Sequence, residues 1–462
     1  MKEKNNSTEI FETMPVPQAL RKMAVPTVLG QIIVLIYNLA DTFYVGQTDN
    51  PYMVAGVSLI LPIFNTVIAL ANLPAVGGGT YVSQLLGTGN REEASRVTAF
   101  SIWLGVIIAA VFSMLVSVFM SPLLRLLGAG ENTFAYARQY VTCVIVLGGI
   151  PTVLSNILSN MLRSTGKSAQ AGFGVALGGV LNIALDPLFM FVLLPKGSEI
   201  LGVGIATLLS NIISCIYCAA VIFKDRHTTV ISFRPTRISK HSIYRIVNVG
   251  FPACFVMFLF DVDYMIIDKL MSGYSDIALA AIGIVLKAER LPLNIGVGIC
   301  QGMVPIVAYN YAAKNYERMR KTYRLARLVG IVCGVVSIVL YELFAENIMR
   351  FFIDDAQTVA MGAAFLRARS PATLFMFLSF FTVHLFQSFS HGWTALYLGI
   401  QRWVLLNIPM LFLLNHLFGM YGIVWAQLVA DFINVIISFI LLYRFIHREI
   451  LPAEQTALKS HG

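Results

Sequence analysis

The sequence predicts an all-α integral membrane protein of twelve transmembrane helices, set out as two parallel-oriented six-helix bundles. Three observations carry this reading: the apolar excess, the length of the apolar runs, and the recurrence of the first half in the second. Hydrophobic residues make up 57% of the 462 and charged residues 12%, against about 45–50% and about 25% in a soluble domain. So few charges cannot cover a water-facing surface. Runs such as Ile102 to Met120 approach the roughly 20 residues with which a helix crosses a bilayer. They lack period-2 polarity, which disfavours a membrane β-barrel.

Taken in order, residues 1–14 are polar and mixed in charge and are expected to be disordered. Hydropathy then predicts spans near 22–46, 53–76, 97–120, 136–159, 170–194, 201–223, 246–271, 278–308, 325–345, 362–388, 395–418 and 422–445. Residues 15–223 form the first bundle, 224–245 a basic linker, 246–445 the second bundle and 446–462 a tail. Pro26, Ala55 and Asn90 recur about 226 residues on as Pro252, Ala281 and Asn315, and Val180-Leu181-Asn182-Ile183 is echoed by Leu405-Leu406-Asn407-Ile408. Six spans per repeat return the chain to its starting side. The halves are therefore related by a pseudo-two-fold axis along the membrane normal, with a cleft between them.

Most of the 33 Lys and Arg fall in the connections on one side, which predicts cytoplasmic termini, tail and linker in a multi-pass plasma (inner) membrane protein. Scattered at rims, they offer anionic lipid headgroups a contact and give nucleic acid no continuous basic face. The six cysteines sit in apolar runs, where a thiol acts as a small hydrophobe. No phosphate-cradling GxxxxGKS loop or HExxH motif is present, so neither ATP-driven transport nor membrane proteolysis is supported. An ion gradient is the expected energy source, with no cofactor.

Few polar residues interrupt the spans, and each is costly there, about 2.5–3.5 kcal/mol for a central Asp. Tyr37 and Asp41 share a helical face in the first span, and Asn182 and Asp186 do so in the fifth, where Pro187 also frees a carbonyl. These oxygens suit either proton exchange between carboxyls or a hard cation such as Na⁺. The second half is chemically unequal: Leu411 aligns with Asp186, and Ile267 or Asp268 with Asp41. It carries Asp261, Asp263, Asp268, Glu289 and Asp431 instead, with Lys287 and Arg290 as expected counter-charges. Asp261 and Asp263 cannot share a face. Pro26 and Gly30 are a candidate hinge, and Gly77, Gly78, Gly79, Gly174 and Gly178 read as sites of close helix approach.

Together, Ala24-Val25-Pro26, Asp41-Thr42-Phe43-Tyr44-Val45-Gly46, Leu86-Gly87-Thr88-Gly89-Asn90, Thr165-Gly166-Lys167, Asn182 with Asp186, and Pro305 before Tyr309-Asn310-Tyr311-Ala312-Ala313 resemble the multidrug and toxic compound extrusion (MATE) family. The likeness covers roughly residues 15–445 and is greatest to its DinF-like and MepA-like bacterial branch. It implies an antiporter, not an enzyme, that exports lipophilic, often cationic small molecules in exchange for H⁺ or Na⁺, expected to act as a monomer. Tyr37, Asp41, Asn182, Asp186 and Thr207 match residues of the cation-coupling site in such proteins, with Na⁺ at Asp41, Asn182, Asp186 and Thr207 as one form of it. Gln31 and Asn156 match cavity positions, and Met303 and Tyr309 are further candidates to line the cavity. The competing readings are a flippase for a lipid-linked precursor, which needs a strongly basic cleft, and a membrane-embedded enzyme, which needs convergent His, Asp or Ser groups. A passive channel fits an internally duplicated chain poorly.

Overall fold

The computed structural model describes residues 6–48 and 50–459. Among the described residues, ten helices are long and apolar enough to cross a membrane: Val16–Gly46, Pro51–Gly87, Arg91–Val118, Ser168–Leu193, Glu199–Lys224, Lys240–Ser272, Asp276–Ala312, Tyr316–Phe352, Gly392–Phe418 and Met420–Gln455. Two bent pairs, Glu131–Leu147 with Gly149–Ser164 and Ala356–Arg369 with Ala372–Ser388, each turn by 47° and complete twelve spans as the fourth and tenth. All twelve lie where hydropathy places them.

The duplication extends to backbone irregularities. The fourth and tenth spans share their bend, and the third and ninth are interrupted at matching places, Phe119 (φ −98°) and Phe344 (φ −114°). Asn90 and Asn315 each cap the next helix, accepting from the backbone N–H of Glu93 and Arg318, both at 3.1 Å. Such caps satisfy orphan donors at helix starts.

The halves meet along the first, second, seventh and eighth spans, closest at the end where both terminal segments lie. A Cβ on Gly250 would stand 2.0 Å from the Leu73 carbonyl oxygen, and one on Gly77 2.2 Å from that of Ile246, so the second and seventh spans touch backbone to backbone. Thr27 Oγ1 donates to the Gly298 carbonyl at 2.7 Å, Gln84 Nε2 to that of Ser388 at 2.7 Å, and Arg245 Nη2 to Gln84 Oε1 at 2.9 Å. Farther along the first span, Ile36, Asn38 and Thr42 are exposed.

Residues 1–14 do not form a wholly disordered segment: Asn6–Glu12 is a helix, while residues 1–5 lie outside the described residues. Its Phe11 is fully buried as part of the first-half core and is stacked on Tyr309 of the eighth span at 5.1 Å. Arg318 Nε and Nη2 donate to the carbonyls of Phe11 and Ile10 at 2.6 and 3.0 Å, Asn310 Nδ2 to that of Phe11 at 3.1 Å, and the Tyr309 hydroxyl to Glu12. A cation on the unsatisfied carbonyls of a helix end is favourable, and this anchoring overrides the polar composition. The linker is an ordered strap on the first bundle, with Val230 and Ile231 buried and Trp103 Nε1 donating to the Phe233 carbonyl at 2.9 Å.

Candidate functional site

The first-half site draws on four spans. Tyr37 and Asp41 stand one turn apart on the first span, and Tyr37 lies against Gly179 of the fifth, 3.1 Å from where a Cβ would be. Asn182 and Asp186 follow the same spacing on the fifth, and Thr207 comes from the sixth. Asn182 Nδ2 donates to Asp186 Oδ1 at 3.4 Å and to Thr207 Oγ1 at 3.3 Å. Asp41 Oδ1 and Asp186 Oδ2 are both buried without a hydrogen-bond partner in the protein. All five residues selected from the sequence thus converge.

Tyr140 of the fourth span is buried against the sixth, its ring 3.7 Å from where a Cβ on Gly204 would stand, one turn before Thr207. Sequence alone did not single it out, because one tyrosine in an apolar run carries no signal. Two π-helical turns flank the site, Thr142–Leu147 just after Tyr140 and Leu188–Leu193 just after Pro187. Proline removes the N–H that would bond one turn back, and π turns often mark functional positions.

Asp186 is fully buried, and no ion pair to either acid occurs among the described residues. Asp41 Oδ1, Asn182 Oδ1 and Asp186 Oδ2 are buried without a hydrogen-bond partner in the protein. Buried polar atoms are normally paired. Unpaired carboxylate and amide oxygens are donors that suit a hard cation, and two neighbouring carboxyls can instead share a proton.

The other candidates lie elsewhere. Gln31 Nε2 donates to Gln301 Oε1 at 3.3 Å, joining the first and eighth spans, and Asn156 accepts from Asn160 Nδ2 at 3.0 Å. Met303 is fully buried in the second-half core, and Tyr309 holds the short helix through Phe11 and Glu12, both at the tightly closed end of the molecule. Pro26 lies in an unbroken helix, with Gly172 of the fifth span so near that a Cβ there would be 2.3 Å from its carbonyl oxygen.

The second half holds a related polar centre. Asn407, the repeat counterpart of Asn182, donates to Asp263 Oδ1 at 2.6 Å and to Gln427 Oε1 at 3.2 Å, and Gln427 stands where Thr207 does in the first half. Gln427 Nε2 also donates to Asp431 Oδ2 at 2.9 Å. Here arginines supply the positive charge: Arg402 grips Asp431 with bonds of 2.6 and 2.9 Å, and Arg369 grips Glu289 with bonds of 2.8 and 3.0 Å. The partner of Glu289 is therefore Arg369, not the exposed Lys287 or Arg290; Arg290 lies over the Tyr264 ring at 5.5 Å. Asp261 turns the other way and accepts from Asn65 of the first half at 3.1 Å. Arg369 and Arg402 were legible as candidates, since an arginine inside an apolar span usually marks a cavity or an ion pair.

Two like bundles, joined at one end and enclosing buried acids, define a membrane transporter built on an internal duplication. A family model, MatE, matches residues 26–188 and again 252–413, one match in each half. The chain belongs to the MatE family. It is 28% identical over 440 residues to "Multidrug export protein MepA" of Staphylococcus saprophyticus subsp. saprophyticus, covering 95% of this chain and 96% of that protein. The Staphylococcus aureus MepA (strain MSSA476) is 26% identical over 441 residues at the same coverage. Among solved structures, "Outward-facing conformation of a multidrug resistance MATE family transporter of the MOP superfamily" superposes with a TM-score of 0.90 at 21% identity, over 97% of this chain and 99% of that one.

Proposed function

We propose that this protein exports lipophilic, often cationic small molecules across the plasma membrane in exchange for H⁺ or Na⁺, by alternating access of a cleft between the two bundles. The observation that carries the coupling step is that Asp41 Oδ1, Asn182 Oδ1 and Asp186 Oδ2 are buried and unpaired, with no ion pair to either acid among the described residues. Binding a cation there satisfies those oxygens and draws the first span, through Tyr37 and Asp41, against the fifth. Release frees the first span, and Pro26 and Gly30 are where it can bend. Asn182, Thr207 and Tyr140 orient the acids. Multidrug exporters among the relatives support the substrate class, and the basic connections support cytoplasmic termini. The chain acts as a monomer in this reading, because each molecule already contains two halves and the cleft between them.

The test is efflux of a fluorescent lipophilic cation from everted vesicles under an imposed H⁺ gradient and, separately, an imposed Na⁺ gradient. Transport under one of them names the ion, and Asp41→Asn and Asp186→Asn are each expected to abolish it at normal levels of inserted protein. Full activity in both variants would overturn the first-half coupling model, and no wild-type transport under either gradient would overturn antiport itself.

A further inference from the structure

The segments that lead into the first and seventh spans, the opening helices of the two halves, are held in matching ways. Asn90 and Asn315 cap the third and ninth spans at the backbone N–H of Glu93 and Arg318, and the side chains of those same two residues reach across to the opposite half's lead-in. Glu93 Oε1 accepts from Ser242 Oγ, in the first turn of the seventh span, at 2.6 Å. Arg318 donates to the carbonyls of Ile10 and Phe11, just before the first span. The two grips differ in extent. The linker is fastened to the first bundle along its length, through Thr228, Val230, Ile231 and Phe233, whereas Asn6–Glu12 is a single short helix.

That short helix also bridges the halves. Phe11 belongs to the first-half core, and only Thr13, Met14 and Pro15 separate its helix from the first span. Its stacking partner Tyr309 and its hydrogen-bond partners Asn310 and Arg318 lie in the second half. Tyr309 sits where the halves touch backbone to backbone, since a Cβ on Gly87 of the second span would stand 2.2 Å from its carbonyl oxygen. If the halves part at this end, Phe11 cannot keep both its first-half surroundings and its hold on Tyr309 and Arg318. A contact made in only one of two conformations shifts the balance toward it by the free energy it contributes there. We propose that the helix Asn6–Glu12 is a latch on this end of the cleft, stabilising the closed conformation while docked and releasing Tyr309, Asn310 and Arg318 each time the end opens. This rests on the alternating-access reading of the export function and adds to it a step that the first-half acids do not perform.

The experiment follows the closed end with no gradient imposed. Spin labels on Glu92→Cys and Glu317→Cys, exposed positions that match in the repeat at the starts of the third and ninth spans, report the distance between the halves by double electron–electron resonance. The full chain is used in lipid nanodiscs, with its six native cysteines replaced by alanine. In the Phe11→Ala, Arg318→Ala variant the ratio of long to short distances should rise about tenfold, the equivalent of about 1.4 kcal/mol. An unchanged distribution in that folded variant would overturn the latch. A second variant keeps the helix docked, with Glu12→Cys and Tyr309→Cys joined by a bismaleimide, and serves even if the first does not fold. Efflux should stop on cross-linking and proceed in the unlinked protein. Efflux that continues after linking would also overturn the latch, because the helix would then travel with the second half through the cycle. Absence of efflux from wild-type vesicles, with the distance shift still seen, would count against the export reading and not against the latch.

Discussion

At the scale of single residues, the two halves use the same asparagine for different electrostatic ends. Asn182 joins Thr207 to Asp186, an acid with no ion pair among the described residues, whereas Asn407 joins a centre held by two arginines. A buried pair broken on one side leaves an uncompensated charge, at a cost of about 3–5 kcal/mol. Arg402→Gln should therefore lower thermal stability in detergent by that order, and adding Asp431→Asn should recover most of the loss; an equally unstable double variant would point to packing rather than charge. The left-handed turns give a second prediction. Gly89 and Gly166 take positive φ in the first half, where Lys314 (φ 58°) and Ser390 (φ 59°) stand in the second. Such a conformation costs a side-chain-bearing residue roughly 1 kcal/mol. Lys314 is exposed, so Lys314→Gly should gain about 0.5 kcal/mol, seen as a raised melting temperature. Ser390→Gly should gain nothing, because Ser390 Oγ donates to Gln84 Oε1 at 3.0 Å.

At the scale of elements, hydropathy locates every span but clips its ends. The ninth is expected over 325–345 and runs Tyr316–Phe352, because the apolar signal stops at Lys321 and Arg324 while the helix continues back to its Asn315 cap. The bends of the fourth and tenth spans fall at Gly148-Gly149 and Pro371, and one π turn follows Pro187, helix breakers that hydropathy does not register. The first-half acids were legible because polar groups are rare in an apolar span, and i, i+4 spacing then fixes which of them share a face. The short helix Asn6–Glu12 was hidden for the opposite reason, since its partners lie some 300 residues away. Arg318→Ala removes two of the bonds that hold it, and amide exchange at residues 9–12 should quicken by at least tenfold, with little change within the spans. Unchanged exchange would mean that Phe11 alone is a sufficient anchor.

At the scale of the whole molecule, the halves are joined where glycines let backbones touch. Gly250→Val places two methyl groups where even a Cβ has no room beside Leu73, so the joint at that end should not close. Efflux is expected to be lost although the protein still inserts, and solvent labelling of cysteines introduced near that joint should increase. Normal efflux from Gly250→Val would show that the closed joint is dispensable to the cycle.

The short helix at that joint also sets an order of events during synthesis. Phe11 and Arg318 are 307 residues apart, which at about 5–20 residues per second is roughly 15–60 s of translation. For that interval the carbonyls of Ile10 and Phe11 lack the arginine that binds them, and eight spans must enter the membrane before it exists. The seal is thus made only on a chain whose second half has been threaded correctly. A ribosome stalled before residue 318 would leave residues 6–12 open to proteases or to a chaperone, so that an unfinished transporter carries its own mark for removal.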